Sequence, residues 1–217
     1  MSPPDGSTAR HDLVEAARRL DATGLNQNSS GNLSVRVGDH LLVTPSGIPA
    51  DEMDPADQVL VDLDGRPVRD GQRAPTSEWR LHVGLARARP DIGAIVHTHS
   101  PEATAAAVVG RPVPAVHYVV ARFGGTVLPC APYATYGSDE LAQHVVAALG
   151  PAGTACLMAN HGAIAVAGGL NAAVALALDV EWLCGVHRRA RGLGEPTVLT
   201  DAEIGRVADR LRSYGQP

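Results

Sequence analysis

Two short apolar segments, Leu33–Val37 and Leu41–Thr44, are separated only by Gly38, Asp39 and His40. Hydrophobic residues alternate with Ser and Arg in the first segment, as expected for a strand with one buried face. A tight Gly-Asp turn joins neighbouring antiparallel strands, so the pair is predicted to form a β-hairpin. Val59–Asp62, followed by another Asp-Gly pair, gives a similar hairpin signal.

Strands and helices alternate along the rest of the chain. Further strands are predicted at Ile92–His99, Val113–Val120, Thr126–Cys130, Cys156–Ala159 and Ala163–Val166. Helical spacing and capping residues predict helices around Leu13–Leu20, over Ser77–Ala88, from Ser100 to Gly110, from Ser138 to Gly150, over Leu170–Arg189 and from Thr200 onward. This order predicts an α/β fold with a central, mostly antiparallel sheet covered by helices. No linker divides the chain, so we expect a single domain over residues 1–217, with a disordered lead over 1–7.

Charge and composition point to a small-molecule ligand. The net charge is -5, and no run of Lys or Arg provides a surface for nucleic acid or anionic lipid. Glycines interrupt the most apolar region, Ala163–Leu178, which therefore falls short of a membrane span. The three cysteines are far apart and odd in number, and the first residues do not resemble a signal peptide. A cytoplasmic protein with reduced thiols is expected.

His97 and His99 are the strongest functional signal. Residues two apart on a strand project from the same face, so both imidazoles can bind one metal ion. A single strand histidine is more often a satisfied core residue, but a pair at a strand end favours metal binding.

Glu78 and His161 are candidates for the same site. Three imidazoles and a carboxylate suit zinc, and a set without thiolates is typical of a catalytic rather than a structural site. Taken alone, Glu78 is also explained as an acid in the first turn of a helix, where it could pair with His82 on the helix surface. His161 alone is also explained as a turn histidine.

Small polar loops next to strand ends could bind an anion without lysine. They are Asn26–Asn32 and Thr44–Gly47, together with the Thr76–Ser77 pair before a helix. Backbone N–H groups and hydroxyls at such positions bind phosphate, although each loop alone is also explained as an ordinary turn or cap.

Tyr118 could move a proton at a developing alkoxide. Five further histidines are predicted to lie on solvated helix or hairpin surfaces: His11, His40, His82, His144 and His187.

The ordered set of motifs resembles the class II, zinc-dependent aldolase family, with the nearest likeness to its L-fuculose-1-phosphate aldolase branch. The resemblance covers almost the whole chain. Its pieces are Gly24–Gln27, Gly31–Arg36, Thr44–Pro49, Ser77–Arg80, Val96–His99, Pro114–Tyr118, Pro129–Thr135, His161–Gly162 and Ser213–Gly215.

The resemblance implies a role for each motif residue. His97, His99 and His161 would bind Zn²⁺, or another divalent metal, and Glu78 would share the metal and act as the base. The phosphate of a phosphorylated sugar would be bound by Ser29, Asn32, Gly47, Thr76 and Ser77. Tyr118 would supply a proton at the aldehyde end, and Tyr136 and Tyr214 would line the substrate pocket. A homotetramer with sites between subunits is implied as well.

The implied reaction is cleavage of a ketose 1-phosphate, such as L-fuculose 1-phosphate, to dihydroxyacetone phosphate and a short aldehyde such as L-lactaldehyde. Thr76 stands where the family is expected to have serine, and Tyr136 where it is expected to have phenylalanine. These differences leave more than one sugar phosphate as a candidate substrate. The alternatives are a 5-deoxyribulose-1-phosphate aldolase, a ribulose-phosphate 4-epimerase and a methylthioribulose-1-phosphate dehydratase. An adducin-like interaction module is the non-enzymatic alternative.

Overall fold

A seven-stranded sheet with helices on both faces organises the computed structural model, which describes residues 6–26 and 30–213. The strands are β1 (Asn32–Val37), β2 (His40–Val43), β3 (Val59–Val61), β4 (Ala94–Thr98), β5 (Val113–Pro114), β6 (Val127–Leu128), β7 (Cys130–Ala131), β8 (Ala155–Met158) and β9 (Gly162–Ala167). The α-helices are α1 (Ser7–Ala22), α2 (Trp79–Ala88), α3 (Pro101–Val109), α4 (Asp139–Leu149), α5 (Leu170–Leu193) and α6 (Asp201–Ser213).

The sheet has the strand order β3-β2-β1-β4-β9-β8-β7. Every neighbouring pair is antiparallel except β7 and β8, and β5 pairs with β6 in a separate small ladder. The predicted hairpin is present as β1 and β2, with Val37 opposite His40. The prediction of a single α/β domain built on a mostly antiparallel sheet is therefore confirmed.

Side chains alternate between two helical layers along the central strands. Val96 belongs to the core that contains α1, α3 and α5, whereas Ile95 belongs to the core under α2 and α4. On β1, Leu33 faces the first layer. The alternation therefore places Asn32 and His97, which are opposite each other in the sheet, on the α2 side.

Helix α5 is long and apolar enough to pass a simple length and hydropathy test for a membrane span. Its buried residues, among them Ala173, Val174 and Val180, pack into the core next to β4, β9 and α3. This packing explains its composition without a bilayer.

Two sequence-based expectations need correction. The strand predicted over 113–120 ends at Pro114, and residues Tyr118–Phe123 form a 3-10 helix instead. Proline cannot donate a ladder hydrogen bond, and the His117 ring accepts one from the Val119 N–H, which favours the tight turn. At the N-terminus α1 already begins at Ser7, so a disordered lead cannot include that residue; residues 1–5 lie outside the described residues.

Candidate active site

Glu78, His97, His99 and His161 come together at one end of the central strands. His97 lies in β4, His99 follows that strand, Glu78 precedes the first turn of α2, and His161 precedes β9. Each residue offers one ligand atom, and these atoms all lie within 4.8 Å of one another. All four residues that were predicted from the sequence as metal ligands therefore lie close together in the structure.

The three imidazole rings point their Nε2 edges toward a common centre. Their centroids are 4.7–4.9 Å apart, and His97 Nε2 lies 2.8 Å from His99 Nε2. His97 Nδ1 lies 2.9 Å from the Ala163 carbonyl oxygen, which can only accept, so Nδ1 donates the proton. With Nδ1 donating to this carbonyl, His97 would bind a metal ion through Nε2 after losing its second proton, the orientation that metal-binding histidines adopt.

Glu78 is held between two of these rings. Its Oε2 lies 3.0 Å from His97 Nε2, and its Oε1 lies 3.3 Å from His161 Nε2. Burial acts to raise the pKa of the Glu78 carboxyl, but attraction to His97 and His161 and hydrogen bonds from His97 and Asn32 outweigh it and hold the pKa well below its usual range. Glu78 is therefore a carboxylate at neutral pH.

The three imidazoles differ in the direction in which their pKa values are shifted. Burial, followed by repulsion from His97, lowers the pKa of both His99 and His161 to about 4. Burial also acts to lower the pKa of His97, but the adjacent Glu78 carboxylate raises it above its ordinary value. Two of the three rings are therefore neutral and ready to bind a cation at neutral pH.

The donor set fits a divalent metal such as zinc. Three imidazole nitrogens and one carboxylate converge, and Oε1 of Glu78 is buried without a hydrogen-bond partner among the described residues. A buried carboxylate oxygen is costly to leave unpaired, and a cation would satisfy it. The geometry of these four residues therefore supports the predicted metal site.

The backbone at Gly162 lies very close to Thr98 and His99 at the end of β4, and only glycine fits there. A Cβ atom there would lie 2.3 Å from the Thr98 carbonyl oxygen and 3.3 Å from the His99 ring. The preceding turn also requires an unusual backbone, since Asn160 has a φ of 56°, which asparagine tolerates better than most residues. Together these two residues let His161 approach the end of β4.

A cavity of about 440 Å³ connects this cluster to the predicted anion-binding loops. Its lining includes Glu78, His99 and His161 on one side and Gly47, Thr76 and Ser77 on the other. Tyr136 also lines it, as predicted for a pocket residue. Ser29 and Tyr214, two further predicted site residues, lie outside the described residues.

Tyr118 does not line this cavity within the described part of the chain. Its side chain is exposed and packs against the His117 ring, with centroids 4.2 Å apart. Trp182 of α5 contacts the same His117 ring. Tyr118 could therefore transfer a proton in this cavity only if it reached the cavity of another subunit.

Sequence reasoning missed several residues around the site. Tyr133 lines the cavity without having been predicted as a site residue, whereas Ser46, which also lines it, belongs to the predicted Thr44–Gly47 anion-binding loop. The prediction for His82 was wrong: it is fully buried and hydrogen-bonds to Asn32 rather than lying on a solvated surface. Its place four residues after Glu78 indicated a shared helix face, but not that β1 would cover that face.

Residues 11–187 match the model of the class II aldolase and adducin N-terminal domain family. This match covers well over half of the 217 residues, and the chain belongs to this family. It is a class II aldolase, an enzyme of the lyase class, as the names of its relatives also indicate. The expectation of an enzyme is confirmed.

Several individual relatives align with almost the whole chain. A 5-methylthioribulose-1-phosphate/5-deoxyribulose-1-phosphate aldolase of Rhodospirillum rubrum is 46% identical, covering 95% of this chain and 92% of that protein. An L-fuculose phosphate aldolase of Escherichia coli K12 is 38% identical, with 94% of each covered. A solved L-fuculose 1-phosphate aldolase is 36% identical, with a TM-score of 0.90 over 95% of this chain and 97% of that one.

Acid should destabilise the metal-free protein through its buried histidines. Burial lowers the pKa of His82 to about 3, and those of His99 and His161 lie near 4. Below about pH 6.5 the unfolded chain takes up protons on these rings that the folded protein excludes, so stability present above pH 6.5 is lost as the pH falls toward 4. His97, whose pKa is raised, adds stability as the pH falls toward 6.5 and is protonated in both states below that value, so it offsets only part of the loss.

Urea unfolding of the metal-free protein at pH 7 and pH 5 measures this effect. We expect a lower free energy of unfolding at pH 5. His82→Gln should flatten the dependence by about 1.4 kcal/mol per pH unit, because one of the excluded protons is no longer involved. Equal stability at the two pH values would contradict this explanation.

Proposed function

We propose that the protein is a metal-dependent aldolase that cleaves a ketose 1-phosphate to dihydroxyacetone phosphate and a short aldehyde. The observation that carries the proposal is the single cavity that joins Glu78, His99 and His161 to the Gly47 and Thr76–Ser77 loops. Such a cavity can hold a ketone next to a metal and its phosphate against hydroxyl and N–H donors. Relatives named for three ketose 1-phosphates support the same substrate class.

The metal would be held by His97, His99 and His161, with Glu78 as a fourth ligand that substrate can displace. Zinc is our first choice because of the imidazole donors, and another divalent metal could replace it. A bound divalent cation supplies Lewis acidity that polarises the substrate carbonyl. Metal analysis of the purified protein tests this assignment.

Glu78 would act as the base. Its carboxylate is ionised at neutral pH, and Oε1 lacks a hydrogen-bond partner among the described residues, so it can accept a proton from the carbon next to the ketone in the condensation direction. Gly47, Thr76 and Ser77, with Ser29 and Asn32, would hold the phosphate so that this carbon lies near Oε1. Fixing the reactive fragment in this way is a large source of rate enhancement.

The aldehyde end would be handled by tyrosines. Tyr136 lines the cavity, and Tyr118 and Tyr214 are proposed to reach it from a neighbouring subunit of a homotetramer. Tyr118 would move the proton on the aldehyde-derived oxygen. We place the enzyme in the cytoplasm, where its three free cysteines would remain reduced.

The substrate within this class is proposed from the relatives. The 46% identity to the Rhodospirillum rubrum aldolase, against 39% to an L-fuculose phosphate aldolase, favours 5-methylthioribulose 1-phosphate or 5-deoxyribulose 1-phosphate. L-Fuculose 1-phosphate is the second candidate. The three differ only beyond the bond to be cleaved, on the side where we place Tyr136.

A panel of these three 1-phosphates tests the proposal. The zinc-loaded protein is expected to release dihydroxyacetone phosphate from at least one of them, with a higher kcat/KM for a pentulose phosphate. L-Ribulose 5-phosphate serves as the probe for 4-epimerase activity, and loss of substrate without dihydroxyacetone phosphate would indicate a dehydratase. No release from any of the three would overturn the proposal.

Ser77→Ala tests the phosphate-binding role. Ser77 is exposed and lines the cavity, so losing its hydroxyl should leave the fold intact. One hydrogen bond to a charged group contributes about 1.5–3 kcal/mol, so KM should rise roughly 10- to 100-fold with little change in kcat. Ser77→Thr, which keeps the hydroxyl, is the matched control, and an unchanged KM in Ser77→Ala would remove Ser77 from the phosphate site.

A further inference from the structure

A line of buried polar side chains extends from Glu78 away from the cavity. Asn32 Nδ2 lies 3.1 Å from Glu78 Oε2, and Asn32 Oδ1 lies 2.6 Å from His82 Nε2. On the far side of the ring, His82 Nδ1 lies 2.7 Å from Ser34 Oγ. Ser34 and His82 are fully buried and Asn32 is only 7% exposed, so water does not compete for these contacts.

The direction of every hydrogen bond in this line follows from the carboxylate. Ionised Glu78 can only accept, so the amide nitrogen of Asn32 faces it and the amide oxygen faces His82. The amide oxygen also only accepts, so His82 Nε2 carries a proton and donates it. Neutral His82 then accepts at Nδ1 from the Ser34 hydroxyl. The order of donation is Ser34 to His82, His82 to Asn32, and Asn32 to Glu78.

The neutrality of His82 matters for the basicity of Glu78. Burial lowers the pKa of His82 to about 3, so the ring remains uncharged at neutral pH. The line therefore holds the carboxylate through a neutral amide and adds no positive charge behind it. A cation at that position would stabilise the carboxylate further and make it a weaker base.

The two carboxylate oxygens of Glu78 are held differently as a result. Asn32 and His97 contact Oε2, whereas Oε1 lies 3.3 Å from His161 Nε2 and is buried without a hydrogen-bond partner among the described residues. If Asn32 were free to rotate, its amide could turn its oxygen toward Glu78 and repel it. The hydrogen bond from His82 prevents that rotation because it fixes the amide oxygen on the opposite side.

We propose that His82 is a positioning residue which, through Asn32, fixes Oε2 of Glu78 and leaves Oε1 directed at the substrate. This role rests on the proposed function of Glu78 as the base. It assigns Asn32 to the support of Glu78 in addition to the cavity wall. A network that served only the fold would not affect turnover once the protein is folded and metal-loaded.

Nitrogen-15 NMR of the metal-free protein tests the hydrogen-bond line independently of any activity. Histidine labelled at both ring nitrogens should show His82 as the neutral tautomer with its proton on Nε2, unchanged between pH 7 and pH 5. Asn32→Ala should shift this Nε2 proton signal because its acceptor is lost. A proton on Nδ1, or a charged ring at pH 6, would overturn the proposal even if aldolase activity is found.

Steady-state kinetics of His82→Leu and His82→Gln test the positioning role. Leucine fills the space without a donor, and kcat should fall about 10- to 100-fold while KM and metal content stay near wild type, as for other residues that orient a metal-site group. Glutamine can donate to Asn32 and should restore most of the lost kcat. His11→Leu, on the exposed face of α1, is the matched control and should retain full activity.

The outcomes separate this inference from the proposed function. Wild-type kcat in His82→Leu, or no rescue by His82→Gln in a folded and metal-loaded protein, would overturn the role of His82 alone. If His82→Leu does not fold, Asn32→Ala should give the same loss of kcat, and full kcat in that variant would equally overturn it. Lack of activity in the wild type on every ketose 1-phosphate would instead overturn the proposed function, while leaving the NMR result to stand.

Discussion

Replacing Glu78 with glutamine should lower kcat about 10²- to 10⁴-fold, the usual contribution of a general base, while the metal remains bound. Glutamine preserves the volume of the side chain and can still accept the hydrogen bond from Asn32 Nδ2. It cannot take a proton from substrate at neutral pH. The three histidines are untouched, so metal content measured by atomic emission should match the wild type.

Two further variants make the Glu78→Gln result specific. Glu78→Asp keeps the carboxylate but shortens its reach by one methylene, and we expect intermediate activity. Glu140→Gln removes a carboxylate from the exposed first turn of α4 and should leave kcat unchanged. Full activity in Glu78→Gln would eliminate this residue as the base.

Replacing His99 with alanine should weaken metal binding and lower the activity. A zinc site of four protein ligands typically supplies 10–16 kcal/mol, so losing one ligand is expected to cost roughly 3 kcal/mol, or about 10²-fold in affinity. His99 follows β4 and is only half-buried, so this variant should fold more readily than a variant of the fully buried His97. Metal titration and dihydroxyacetone phosphate release measure the two losses.

Excess zinc distinguishes a metal defect from a folding defect in His99→Ala. Because the other three ligands remain, saturating zinc should restore part of the activity. His11→Ala, an exposed histidine on α1, should bind metal and turn over substrate as the wild type does. Unchanged metal affinity in His99→Ala would mean that the ion binds elsewhere.

Strand periodicity was sufficient to predict the most important contact in the site. His97 and His99 are two residues apart at the end of an apolar strand, and this spacing alone places both rings on one face. The antiparallel sheet could likewise be predicted from the short turn between β1 and β2. Both features depend only on residues that are close together in the sequence, so the local pattern is enough to predict them.

Features that depend on which elements pack together could not be predicted in the same way. His82 was expected on a helix surface because helical spacing does not tell which face another element covers. In the folded chain that face lies against Asn32 and Ser34 of β1, about 50 residues earlier in the sequence. The segment 113–120 was misassigned for a related reason, since its apolar residues fit a strand but Pro114 and His117 favour a turn.

Solvent deuterium exchange measures proton abstraction by Glu78 apart from the rest of the reaction, because it needs no aldehyde. Dihydroxyacetone phosphate is incubated with zinc-loaded protein in deuterium oxide, and isotope incorporation at the hydroxymethyl carbon is followed by proton NMR. We expect the wild type to exchange one hydrogen at this carbon and Glu78→Gln, with its metal still bound, to exchange none. No exchange by the wild type, or equal exchange by Glu78→Gln, would contradict the assignment of Glu78 as the base in a metal-dependent aldolase.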